Sequence, residues 1–243
     1  MVHRKHCLII EAGPTPDFLV DRYGSYADMI EQWLSPYALG TSFTRNRRYE
    51  DEPLPEPDAQ DAVVISGSRF GVYEEAPWML QLERFIHALV DARVPLFGIC
   101  FGHQIIAKAL GGRVEMSEQG WGLGTKEYQL GPITSQLSGT LSAHAVHQDQ
   151  VVKLPEGARI LGGNDHCPFA ILGYENKPIA SVQFHPEFTQ NYLSDLLPVL
   201  KERGVQSEIV STAETSLANQ CDDQTIARWA AAILFDTNGA WPQ

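Results

Sequence analysis

Cys100 stands in the stretch PLFGICFGHQIIAKALGG, residues 95–112, with Gly98 two positions before it and Gly102 two after. Val94–Ile99 is a short apolar run of strand length. Ile105, Ile106, Ala109 and Leu110 are spaced for one face of a helix, which Gly111 and Gly112 would stop. The cysteine therefore falls on the turn from strand to helix. Two glycines without Cβ atoms let strand and helix approach closely around a sharp, strained turn. This is the layout of a nucleophile elbow, G-x-S-x-G, with Cys in place of Ser. The positive end of the helix dipole favours a thiolate there, a placement that brings cysteine pKa values from about 8.5 into the range of roughly 3.5–7.5. A structural reading stands beside this one, because a free cysteine in an apolar run also packs as a small hydrophobe.

A nucleophile needs a base, and the base needs an orienting group. The stretch SVQFHPEF, residues 181–188, offers both. Val182 and Phe184 read as a strand, and Pro186 forces His185 into an extended conformation. Residues i and i+2 of an extended segment face one side, so His185 and Glu187 project together, carboxylate beside imidazole. The plainer reading is a strand end with a surface histidine and glutamate. Of the other histidines, His3 and His6 lie at the N-terminus, His87 falls in a helix, and His103 sits on the first helical turn pointing away from Cys100. His144, His147 and Asp149 in AHAVHQDQV raise the question of a metal. Residues three apart on a strand point to opposite faces, however, and no third ligand is evident. The stretch DHCPF (Asp165, His166, Cys167) reads as a turn. Neither a metal ion nor an organic cofactor is expected.

The elements that must position these residues alternate. Cys7–Ile10, Ala62–Ile65 and Val94–Ile99 are nearly continuous apolar strands, as in a sheet covered on both faces. Pro77–Asp91 carries Trp78, Leu82, Phe85, Ile86 and Leu89 at helical spacing, and Asp28–Leu34 reads as a shorter helix. Glu50–Asp58 is a loop rich in proline and acid. Such alternation implies parallel βαβ units. After Gly112 come short strands, RVEM, TKEYQL, LSAHAVHQ, FAILGYEN and PIASVQFH, read as a mixed or antiparallel extension of the sheet, with GYENKP as a hairpin turn. Beyond Phe188 the chain turns helical, and Ile226, Trp229, Ala230, Ile233 and Leu234 form a stripe read most simply as core packing. Residues 1–188 are thus expected to form the catalytic α/β domain and 189–243 a helical extension packed on it.

With 243 residues, 44% of them hydrophobic and 20% charged, the chain has the makeup of a soluble globular protein. A net charge of −12 disfavours nucleic acid or an anionic membrane as partner. No apolar run reaches the length of a membrane span or a signal-peptide core. Four scattered cysteines without a C-x-x-C pair fit a reducing cytoplasm.

Taken in order, GICFGHQ and FHPE resemble the class I glutamine amidotransferases, whose triad is Cys-His-Glu. VHQDQVVKLPEGARIL is similar to the family segment in which an H-x-D-x-V stretch borders the substrate pocket, and the resemblance runs from about residue 7 to 188. It implies a three-layer α/β/α, flavodoxin-like fold. It also implies Cys100 as nucleophile, His185 as base and later acid, and Glu187 as orienting carboxylate. The backbone N–H groups of Phe101 and of the loop around Gly67 would hold the oxyanion. Gln104 would help to bind a γ-glutamyl group, with His147 and Ser66 beside the same pocket. The substrate would be glutamine or a γ-glutamyl peptide, cleaved through a γ-glutamyl thioester.

Two departures bear on function. The loop ISGSRFGVYEEAPWM has Ser66-Gly67-Ser68 and no proline where synthase-linked members carry a G-G-P type loop, and in this it looks like the stand-alone branch with the γ-glutamyl peptidases. No phosphate loop such as G-x-x-x-x-G-K or S-G-G-x-D-S is present, so ATP-dependent amidation would need another chain. Three readings follow: a stand-alone γ-glutamyl hydrolase or peptidase, a glutaminase subunit feeding ammonia to a synthase, and a non-catalytic binding member. The leaving group would meet the loops Phe70–Trp78 and Trp121–Thr125, and exposed apolar surface at the cleft mouth would favour a partner.

Overall fold

The computed structural model describes residues 5–134 and 137–236. The first half runs β1 (His6–Glu11), α1 (Asp17–Tyr23), α2 (Tyr26–Leu34), β2 (Ser42–Arg47), β3 (Ala62–Ile65), α3 (Pro77–Asp91), β4 (Leu96–Ile99) and α4 (Phe101–Ala109). Strands follow: β5 (Arg113–Met116), β6 (Gly122–Thr134), β7 (Leu137–His147), β8 (Asp149–Lys153), β9 (Ala158–Gly163), β10 (Ile171–Tyr174) and β11 (Ile179–Val182). The chain closes with α5 (Gln190–Glu202), α6 (Ser207–Ser216) and α7 (Asp223–Phe235).

The main sheet has the order β2-β1-β3-β4-β11-β10-β9-β6-β7. From β2 to β11 the pairing is parallel; from β11 onward it is antiparallel. β5 and β8 form a separate two-stranded ribbon. Strand alternation explains why the central strands read as unbroken apolar runs. Cys7, Ile9, Val64, Phe97 and Ile99 pack with α2 and α7 on one face. Leu8, Ile10, Val63, Ile65 and Leu96 pack with α3 and α4 on the other, so both faces need apolar residues. Three layers result, and the stripe Ile226, Trp229, Ala230, Ile233 and Leu234 of α7 lies in the core beneath the sheet. α5 and α6 pack separately against Leu19, Met29 and Leu123.

Several elements differ from the sequence reading. β2, SFTRNR, escaped it because an edge strand paired only to β1 leaves its polar side chains largely in solvent. β9 and α1 likewise lie outside that reading. TKEYQL and LSAHAVHQ prove to be parts of one long hairpin, β6 with β7. β11 ends at Val182, before Phe184 and His185.

Candidate active site

In the parallel part of the sheet all C-terminal strand ends lie on one side, where open α/β sheets place their ligand crevices. The loops after β1, β3, β4 and β11, strands adjacent in the sheet, meet there. Cys100 caps α4 with φ 50° and ψ −100°, a left-handed conformation for a residue with a side chain. Such a conformation costs about 1–3 kcal/mol and persists only where the surroundings hold it. They do: the Cys100 N–H donates to Val182 O at 2.8 Å, and the Gln104 N–H donates to Cys100 O at 3.0 Å. Both flanking glycines are required by space. A Cβ on Gly102 would sit 2.2 Å from Ile65 O, and one on Gly98 would sit 2.6 Å from the Gly102 backbone.

His185 and Glu187 are brought together, although by a turn and not by the extended segment expected. The Phe188 N–H donates back to His185 O at 3.4 Å, and the His185 N–H donates to His144 O at 2.7 Å. His185 Nδ1 and Glu187 Oε1 lie 2.8 Å apart, both residues buried. The imidazole stacks on the Phe188 ring at 4.1 Å and 6°. Its Cε1 edge faces Gly67, where a Cβ would come within 2.6 Å of that atom. Burial alone would depress the imidazole pKa; Glu187 and the Cys100 sulfur outweigh it and raise the value to about 10. The charged ring is therefore stabilised between a carboxylate and a sulfur.

The loop after β3 is pinned from both sides. Ser66, expected at the substrate, is fully buried and does not face the cleft: its hydroxyl donates to Gly67 O at 2.8 Å and accepts from the Ala12 N–H at 3.0 Å. Ser66 O accepts from the Gly102 N–H at 3.1 Å, tying this loop to the elbow. Among the described residues the N–H groups of Gly67 and Phe101 donate no hydrogen bond. Gln104 and His147 do reach the cleft and share one acceptor. Gln104 Nε2 donates to Asp149 O at 2.9 Å, and His147 Nδ1 lies 3.2 Å from the same carbonyl, which fixes its proton on Nδ1. Burial pushes His147 down to about 3, so its ring is neutral.

The remaining histidines go elsewhere. His103 is fully buried, Nδ1 2.8 Å from Ser181 Oγ, and burial pushes it down to about 3. His144 lies beside Thr125 and Cys221, so it does not share surroundings with His147. His3 lies outside the described residues. Among the described residues no group of three His, Cys, Asp or Glu could hold a metal ion, and no helix is long and apolar enough to cross a membrane.

Cys100 and His185 open onto a cleft of about 640 Å³, within the range of small-molecule sites. Phe70 and Trp121 line it as expected, but so do Asp17 and Phe18 of α1, Leu196 and Leu200 of α5 and Arg203 just past its end, which local sequence could not assign. Phe18, Tyr73 and Met116, each about half exposed, form an apolar rim.

The sequence model of the class-I glutamine amidotransferase family matches residues 18–201. A glutamine amidotransferase-like protein of Schizosaccharomyces pombe is 30% identical over 217 residues, covering 84% of this chain and 87% of its own. Gamma-glutamyl peptidase 2 of Arabidopsis thaliana is 29% identical over 225 residues (86% and 87%). One subunit of the glutamine-hydrolyzing GMP synthase of Methanocaldococcus jannaschii is 31% identical over 174 residues (70% and 86%). Among solved structures, a glutamine amidotransferase of Thermotoga maritima superposes with a TM-score of 0.70 at 19% identity, covering 96% of each chain.

Proposed function

Because this chain belongs to the class I glutamine amidotransferase family, we propose that it is a cysteine hydrolase that cleaves a γ-glutamyl amide or isopeptide bond without a partner. The observation that carries the reading is Cys100 on its left-handed elbow, facing a buried imidazole that Glu187 holds at 2.8 Å. The Cys100 thiolate attacks the γ-carbonyl, and the N–H groups of Phe101 and Gly67 receive the oxyanion. As the C–N bond breaks, protonated His185 gives its proton to the departing amine. Water then attacks the γ-glutamyl thioester with His185 as base, the C–S bond breaks, and glutamate leaves. Residues 1–188 would supply this machinery and 189–243 a helical extension that completes the cleft wall. Four free cysteines support a reducing, cytoplasmic setting.

Cleft size supports a leaving group bulkier than ammonia, in keeping with the similarity to a γ-glutamyl peptidase across most of the chain. A second reading, a glutaminase subunit serving a separate synthase, is favoured by the apolar rim of Phe18, Tyr73 and Met116 and by the similarity to one chain of a GMP synthase. Amine release by the purified chain decides between them, with glutamine and glutathione in parallel and Cys100→Ala as control. Glutathione turnover by the chain alone upholds the peptidase. Weak glutamine turnover and none of glutathione favours the synthase-linked glutaminase, and turnover by Cys100→Ala rejects both.

A further inference from the structure

The SVQFHPEF stretch contains one buried polar residue that the triad leaves unused. Gln183 is fully buried just past β11, its N–H donating to Ala170 O at 2.8 Å. Its amide lies between two others of the site: 3.1 Å from the Gln104 amide and, through Nε2, 3.6 Å from Cys100 Sγ.

A third group dictates how both amides are turned. The Asp149 carbonyl can only accept, so Gln104, 2.9 Å away, must present its NH2 group to it. That same nitrogen is the atom facing Gln183, and a donor there requires an oxygen. Gln183 therefore turns Oε1 to Gln104 and its own NH2 to the sulfur. No solvent reaches Gln183 to offer an alternative. The carbonyl of Asp149 thus fixes, through two side-chain amides, a donor aimed at the reacting atom.

A thiol sulfur is a weak acceptor, whereas hydrogen bonds to an ionised acceptor are roughly twice as strong as neutral ones. An N–H group fixed on the sulfur discriminates between thiol and thiolate. We propose that Gln183 is a catalytic residue that donates an N–H···S hydrogen bond to Cys100, stabilising the thiolate before attack and again when the thioester C–S bond breaks. Gln104 acts on it as a positioning residue. The inference rests on Cys100 being the nucleophile of the proposed hydrolase, but not on which substrate it takes.

The test is alkylation of the full chain by iodoacetamide, read at Cys100 by peptide mass spectrometry from pH 6 to 10. Gln183→Met keeps the volume and removes the donor. At pH 7 it is expected to slow Cys100 alkylation about 10- to 100-fold, the range of hydrogen bonds to charged groups. The gap should narrow as pH rises to 10, because hydroxide removes the thiol proton whether or not the Gln183 donor is present. Equal rates at every pH, or a gap that does not change with pH, would overturn the proposal, the second because a packing defect slows access at all pH values. Should Gln183→Met lose its near-ultraviolet circular dichroism, Gln104→Met, which leaves Gln183 in place without its orienting partner, is read in the same way. Alkylation needs no substrate. A chain inert towards γ-glutamyl compounds that still shows the pH-dependent gap upholds Gln183 and rejects the hydrolase, while turnover without a gap does the reverse.

Discussion

Gly67→Ala tests the packing of His185 against the loop after β3. The backbone there lies outside the left-handed region, so alanine meets no conformational penalty, and the N–H proposed for the oxyanion is retained. What changes is one methyl group, 2.6 Å from His185 Cε1. Ordinary contact begins near 3.4 Å, so the ring or the loop must yield 3.4 − 2.6 = 0.8 Å. Neither yields freely. The ring stacks on Phe188 at 4.1 Å and is held by Glu187 at 2.8 Å, while the loop is tied to Ala12 and Gly102 by Ser66. A misplacement of about 1 Å at a reacting group costs on the order of 100-fold in rate, and overpacking a tight interior costs about 1–3 kcal/mol. We expect kcat to fall about 100-fold with little change in KM. At about 2–4 °C per kcal/mol for a chain of this size, Tm should fall by about 2–12 °C. Steady-state amine release and differential scanning calorimetry measure the two. Wild-type kcat and Tm in Gly67→Ala would refute the packing of the base against this loop.

Other outcomes follow from the same geometry. Cys100→Ala should be inactive yet folded, and Cys100→Gly should melt higher than Cys100→Ala, because φ 50° with ψ −100° strains any residue with a Cβ; the opposite order in calorimetry would contradict the strained elbow. Gly102→Ala should fail to fold, its Cβ meeting the Ile65 carbonyl at 2.2 Å; recovery of a soluble chain with wild-type Tm would count against the close approach of strand and helix. His185→Ala should lose more kcat than Glu187→Ala, since an unoriented base still transfers protons; equal or reversed losses would remove Glu187 from an orienting role. Stability should pass through a maximum near pH 6.5. The raised folded-state value of His185, about 10 against 6.5, gives stability that is complete below pH 6.5 and lost as pH rises through 10. The depressed values of His103, His147 and His144, about 3, 3 and 4, give stability complete above pH 6.5 and lost as pH falls towards them. His185→Gln should flatten the decline between pH 6.5 and 9, and an unchanged decline would assign it to other groups.

What could be read from the sequence was what neighbouring residues decide among themselves. The elbow is legible because Gly98, Cys100 and Gly102 carry its whole requirement, a tight turn from a buried strand into a helix. His185 and Glu187 are legible as a pair because they are two residues apart, even though a turn and not a strand joins them. Ser66 marks the boundary of such reasoning: its position beside Gly67 suggests the pocket, but the end of β1, distant in sequence, offers the Ala12 N–H and draws the hydroxyl inward. Gly67 shows the same limit from the other side. A glycine in a loop implies backbone freedom, whereas its role here is to leave room for an imidazole delivered by another strand. The Gln183 orientation lies further still from local pattern, since it depends on a carbonyl of β8 reached through a side chain of α4. The groups proposed to form and break bonds are thus written locally, whereas those that align them come from the loops after β1, β3, β4 and β11, which the sheet order sets side by side, and from the β8 carbonyl outside that sheet. Substitutions that alter rate without touching a triad residue should therefore concentrate in the loops after these four strands.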